Sequence, residues 1–180
     1  MPDPRDILPQ PPWEGPPVPK FVMKTNGRAR RIIEDTLFSL SQQYGVEKPK
    51  IVFQPMEYAE ARFRAPRTIR IEETWEKLID TAKALEWDKF LRTVVAHEFK
   101  HYLQYLELGR PLTTIPSKEY EKYEREAERF GTEFGGMSYR EMSYMIALAN
   151  GISSKYLVEE MPMERAIQAA EAEFPSLLLD

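Results

Sequence analysis

The sequence predicts an α+β fold, a small twisted three-stranded sheet packed on a mostly helical body, and three observations carry that prediction. Two long stretches, from Arg30 to Tyr44 and from Trp87 to Leu108, keep apolar residues at helical spacing. Between residues 50 and 72 the pattern shortens to three segments rich in Ile, Val and Phe, punctuated by Pro55 and Pro66. After Gly109 the pattern returns to helices.

At 180 residues the chain is long enough to bury a substantial core as one domain. Hydrophobic residues make up 42% and charged residues 30%, the balance of a globular protein. No run approaches the ~18–20 apolar residues that span a bilayer, so no membrane partner is expected. The first residues also lack the basic-then-apolar layout of a signal peptide. A net charge of -4 without a dense basic stripe argues against nucleic acid, and Arg28, Arg30 and Arg31 read as a solvated helix start. The chain has no cysteine, which fits a cytoplasmic location and leaves nitrogen and oxygen as the donors for any metal.

Residues 1–20 hold eight of the fifteen prolines and are expected to form an extended arm. Residues 21–135 form the expected core, opening with the Arg30–Tyr44 helix that Gly45 ends. Lys50–Gln54 reads as a buried strand and Glu57–Arg64 as a second. Thr68–Glu72, which alternates Ile69 and Ile71 with polar residues, reads as a half-exposed edge along which an extended peptide could pair. Thr74 is placed to cap a helix reaching about Ala84, and Gly109-Arg110-Pro111 ends the next, longer one. Ser117 is the expected cap of a helix over residues 118–134, which Gly135-Gly136 breaks. Residues 136–180 form a C-terminal helical part, with one helix from Ser138 to a stop at Gly151 and another from Pro162 to Glu173, then an apolar tail.

Inside the long helix lies His97-Glu98-Phe99-Lys100-His101, which uses both histidines of the chain. Positions i and i+4 share a helical face, so the two imidazoles can meet one ion, normally zinc. Glu98 sits beside the open position, where a carboxylate takes a proton from water. Catalytic zinc usually has three protein ligands. With histidine exhausted and cysteine absent, the third is Asp or Glu. Glu107 is set aside, because nothing releases the helix before Gly109 to bring it back. The better candidates lie on the following helix, where Glu124 and Glu128 are i and i+4 on one face flanking the small Ala127. One would hold the metal and the other would orient an imidazole through its second nitrogen. Glu119, Glu121 and Glu126 are the remaining possibilities.

With these motifs in order, the chain resembles the minimal gluzincin zinc metallopeptidases, the minigluzincins and the related ImmA/IrrE-type domains. Their second signature, Glu-x-Glu-Ala-x-x-Phe-Ala, is similar to Glu124-Arg125-Glu126-Ala127-Glu128-Arg129-Phe130-Gly131, with Gly131 in place of the last alanine. The resemblance covers residues 30–135. It implies a zincin-like core, Zn(II) held by His97, His101 and Glu124, Glu128 near the histidines, and Glu98 as general base. It further implies hydrolysis of peptide bonds in a peptide or unfolded protein. The alternative is a latent or non-proteolytic protein of the same fold. Such families often add a late His or Tyr against the oxyanion, for which Tyr139, Tyr144 and Tyr156 are the candidates.

Overall fold

The computed structural model describes residues 27–56, 60–82 and 85–173. The proline-rich arm, the start of the second predicted strand and the apolar tail lie outside them. Among the described residues six α-helices surround a three-stranded mixed sheet: α1 (Arg28–Tyr44), β1 (Lys50–Gln54), β2 (Ala61–Arg64), β3 (Thr68–Glu72), α2 (Glu73–Thr81), α3 (Leu85–Leu108), α4 (Ser117–Gly135), α5 (Tyr139–Leu157) and α6 (Met163–Glu173).

The strand order is β1-β3-β2. The third strand is therefore the centre of the sheet and not its edge, a correction to the sequence reading. β3 pairs in parallel with β1 and antiparallel with β2. The hairpin through Ala65-Pro66-Arg67 places β2 outside β3, and β1 takes the other flank. Ile69 and Ile71 are fully buried on one face, while Arg70 between them points to the other. That alternation is what made β3 look half exposed.

Three helix ends differ from expectation. Ser117 does not cap α4: it is the first residue of the helix, behind Pro116, and no side chain caps that end. Glu72, not Thr74, caps α2: its buried carboxylate accepts from the Thr74 backbone N–H at 3.4 Å, and also from the Thr74 hydroxyl at 2.9 Å and the Met56 N–H at 2.6 Å. α5 also runs through Gly151 instead of stopping there. A helical glycine costs about 1 kcal/mol, and burying Ile152 completely on the next position outweighs that cost. Ser138 does cap α5, accepting from the Glu141 N–H at 3.1 Å.

One continuous core joins α1, α2, α3, α5, α6 and the inner face of the sheet, through residues such as Leu37, Ile71, Trp75, Phe90, Phe99 and Ile152. Arg28 ties three helices together at its margin. Its guanidinium donates to the carbonyls of Ile79 (3.1 Å) and Ala82 at the end of α2, and pairs with Asp88 in the first turn of α3. No described helix is long and apolar enough to cross a membrane.

Candidate metal centre

α3 and α4 pack side by side along a ridge of small residues. Ala127, Gly131 and Gly135 are the buried residues of α4, spaced four apart on one face. A Cβ on Gly135 would meet the Thr93 hydroxyl at 2.1 Å and its Cα at 2.4 Å. On Gly131 it would meet the Thr93 carbonyl at 2.9 Å and His97 Cβ at 3.2 Å. An alanine at residue 131, the type standing there in the resembling signature, is thus too large for this spacing. The close approach brings Glu124 over the histidine face of α3.

The histidines project from consecutive turns of α3, with ring centroids 4.9 Å apart. His101 Nε2 lies 3.0 Å from one oxygen of Glu124, and His97 Nε2 lies 3.5 Å from the other. One ligand atom from each of the three side chains falls within 4.8 Å of the others. Two nitrogens and one carboxylate oxygen at that spacing suit an ion such as zinc. Hydrogen bonds from His101 and then His97 hold the Glu124 carboxyl far below the usual carboxylate range. Burial works against charge on His101, but the hydrogen bond to Glu124 and the nearby negative charge of Glu98 outweigh it and raise its pKa.

Gln104 fixes the orientation of His101. Its amide nitrogen donates to the Tyr123 carbonyl at 3.0 Å and to Glu126 at 3.3 Å. Its oxygen is therefore turned to His101 Nδ1, 2.8 Å away. The proton of a neutral His101 then resides on Nδ1, leaving Nε2 free as a donor atom facing Glu124. Gln104 is almost wholly buried, so this link is shielded from water. Among the described residues His97 Nδ1 has no partner.

Glu128, expected beside the histidines, is half-buried one turn after Glu124 and forms no hydrogen bond or ion pair with a described residue. The orienting role expected of it falls on Gln104 for His101. Tyr120 supplies a further contact that the sequence reading passed over, donating its hydroxyl to Glu124 at 2.8 Å. Its position four residues before Glu124 was the available signal. Tyr139 is exposed, and neither it nor Tyr144 or Tyr156 lines the cavity around the histidines, whereas Tyr120 does.

Glu98 turns from the histidine face toward the sheet. One of its oxygens accepts from the Phe63 N–H of β2 at 2.6 Å. Burial pushes the Glu98 carboxyl up, and the nearby imidazoles and the Phe63 N–H only partly offset it. The side chain of Phe63 packs on Tyr102 and Tyr105 of α3, at 5.7 and 5.8 Å between ring centroids. Together these contacts hold β2 as the strand above a cavity of about 630 Å³, which also reaches Leu112 beyond α3. The chain gives no match to any protein-family model, curated protein or solved structure. The two sequence signatures and this geometry are what bear on its function.

Proposed function

We propose that the protein is a zinc-dependent endopeptidase of gluzincin type that cleaves peptides or unfolded protein segments in the cytoplasm. The observation that carries this reading is the convergence of His97, His101 and Glu124 within 4.8 Å, beside Glu98 in one open cavity. His97, His101 and Glu124 would hold the ion. Zinc bound there would supply Lewis acidity, polarising the scissile carbonyl and acidifying a water.

The chain's own groups divide the remaining work. Glu98 takes the proton of the attacking water and delivers it to the leaving amine. Burial raises its pKa, which makes it a stronger base than an exposed carboxylate. The Phe63 N–H holds one carboxylate oxygen and leaves the other for this exchange. Tyr120 and the imidazoles keep Glu124 charged and in place. An extended substrate would run along the free side of β2, replacing the β3 edge expected from sequence.

The test pairs two measurements. Glu98→Gln should retain one zinc per chain and lose hydrolysis of an unstructured protein. Glu124→Ala should lose the zinc, while Glu128→Ala retains it. Cleavage by Glu98→Gln as fast as by the unaltered protein would refute the general-base role.

A second reading, a metal-holding regulatory protein without turnover, draws on the hydrogen bond that occupies Glu98. It predicts no cleavage of unstructured proteins by the full chain or by a chain lacking residues 1–20.

A further inference from the structure

The sheet carries a charge imbalance beside the candidate centre. Register places Arg62 directly opposite Arg70 across the β2–β3 pair, and Arg64 follows on the same face. Like charges in direct opposition destabilise an antiparallel pair. All three arginines line the cavity that contains His97, Glu98, His101 and Glu124.

The acidic groups of that cavity are already engaged. Glu124 faces the two imidazoles, Glu98 accepts from Phe63, and Glu60 pairs with Arg62 at 3.3 Å. Arg64 and Arg70 form no hydrogen bond or ion pair with a described residue. Arg70 is only partly exposed, and its Nε is buried and unpartnered. A buried donor left unsatisfied is costly, more so when charged. A guanidinium can meet a carboxylate with two parallel hydrogen bonds, and with its Nε buried Arg70 would offer its two terminal nitrogens.

We propose that this arginine face selects substrates carrying an Asp or Glu side chain in the stretch that lies along β2, an inference that rests on the peptidase reading. Arg62 and Arg64 occupy alternate positions along β2 and Arg70 stands opposite Arg62 on β3, so the charges are spread over two strands rather than gathered at one point. That spread fits side chains of an extended peptide better than a single C-terminal carboxylate.

The probes are matched peptides, acetylated and amidated at their ends, that differ only by Glu or Gln at one position flanking the scissile bond. With zinc-loaded protein, kcat/KM should be about tenfold higher for the Glu member, chiefly through KM. Arg70→Gln should bring the Glu/Gln ratio close to one. Arg64→Gln, a change at an exposed position that spares the fold, should lower it, and Arg70→Lys should retain part of it. The ratio is internal to each variant, so a general loss of active protein does not imitate the effect. Equal kcat/KM for both peptides, or an undiminished ratio in both the Arg70→Gln and Arg64→Gln variants, overturns the proposal.

Fluorescence anisotropy with the Glu98→Gln protein separates this inference from the reading beneath it. If the unaltered zinc-loaded protein cleaves neither peptide but the Glu peptide binds the Glu98→Gln protein about tenfold more tightly in an Arg70-dependent way, the acidic subsite stands and the peptidase reading fails. Equal binding of the two peptides removes the subsite, whatever the activity.

Discussion

At the residue scale, the polar links around His101 decide how well an ion is held. Gln104 sets the tautomer of His101 and reaches α4 through Tyr123 and Glu126. Gln104→Leu should therefore weaken zinc binding roughly 10–100-fold, as loss of an orienting partner usually does. Competition against a chromophoric chelator measures it, and an unchanged affinity would remove Gln104 from the site. The His101–Glu124 pair also predicts a pH dependence in metal-free protein. His101 is raised when folded, so its contribution to stability is full below its unfolded pKa of about 6.5 and is lost as pH rises through the folded value. Glu124 is lowered, so its contribution is present above the ordinary carboxylate range and fails only in strong acid. Melting with chelator present should thus show Glu124→Gln destabilised more at pH ~6 than at pH ~8.5. An equal difference at both would contradict the pair. Zinc affinity moves the other way, rising with pH as the imidazoles lose protons.

At the scale of elements, the α3–α4 contact is the part least tolerant of added atoms. Gly135→Ala gains about 1 kcal/mol of helix propensity, but its methyl collides with the backbone and hydroxyl of Thr93. The clash wins, and a net loss of about 2 kcal/mol is expected, with Glu124 displaced and zinc affinity reduced together. Gly131→Ala should cost less, because its tightest contact, at 2.9 Å, is a single carbonyl oxygen. Denaturant unfolding ranks the two, and a stabilised Gly135→Ala would show that the helices are not packed this closely. The helices were the legible elements in the sequence, since apolar spacing and glycine stops such as Gly45 and Gly109 act locally. Sheet order was not legible. Arg70 alternating with Ile69 and Ile71 gives the same pattern in a central strand with one open face as in an edge strand. Glu124 could be reached from its motif and helical phase. Gln104 and Arg70 could not, because what distinguishes them is a partner, or a missing partner, on another element.

At the scale of the whole molecule, the candidate centre adds a further tie between two helices already packed side by side and connected through the short segment around Leu112. An ion bound by both should add stability to the entire fold. At a free zinc concentration ~1,000 times Kd the gain is about 4 kcal/mol, and roughly 2–4 °C per kcal/mol for a chain of this size puts the rise in Tm near 10 °C. Calorimetry with zinc and with chelator tests this, and Glu124→Ala should abolish the shift. Arg28→Ala probes the opposite margin, where it releases two carbonyls of α2 and the carboxylate of Asp88. A loss of about 1–3 kcal/mol is expected there, with zinc affinity unaltered. A fall in zinc affinity would mean that this margin and the centre are coupled.

The locked spacing of α3 and α4 also bears on which ion would prevail among those abundant in a cell. Calcium asks for six to eight oxygen ligands and magnesium for an octahedral, water-rich shell. Here two nitrogens and a single carboxylate converge, on helices that the Gly131 and Gly135 contacts keep from spreading to admit more donors. Millimolar calcium or magnesium should accordingly leave zinc binding undisturbed, whereas cobalt or nickel, which accept the same donors, should compete.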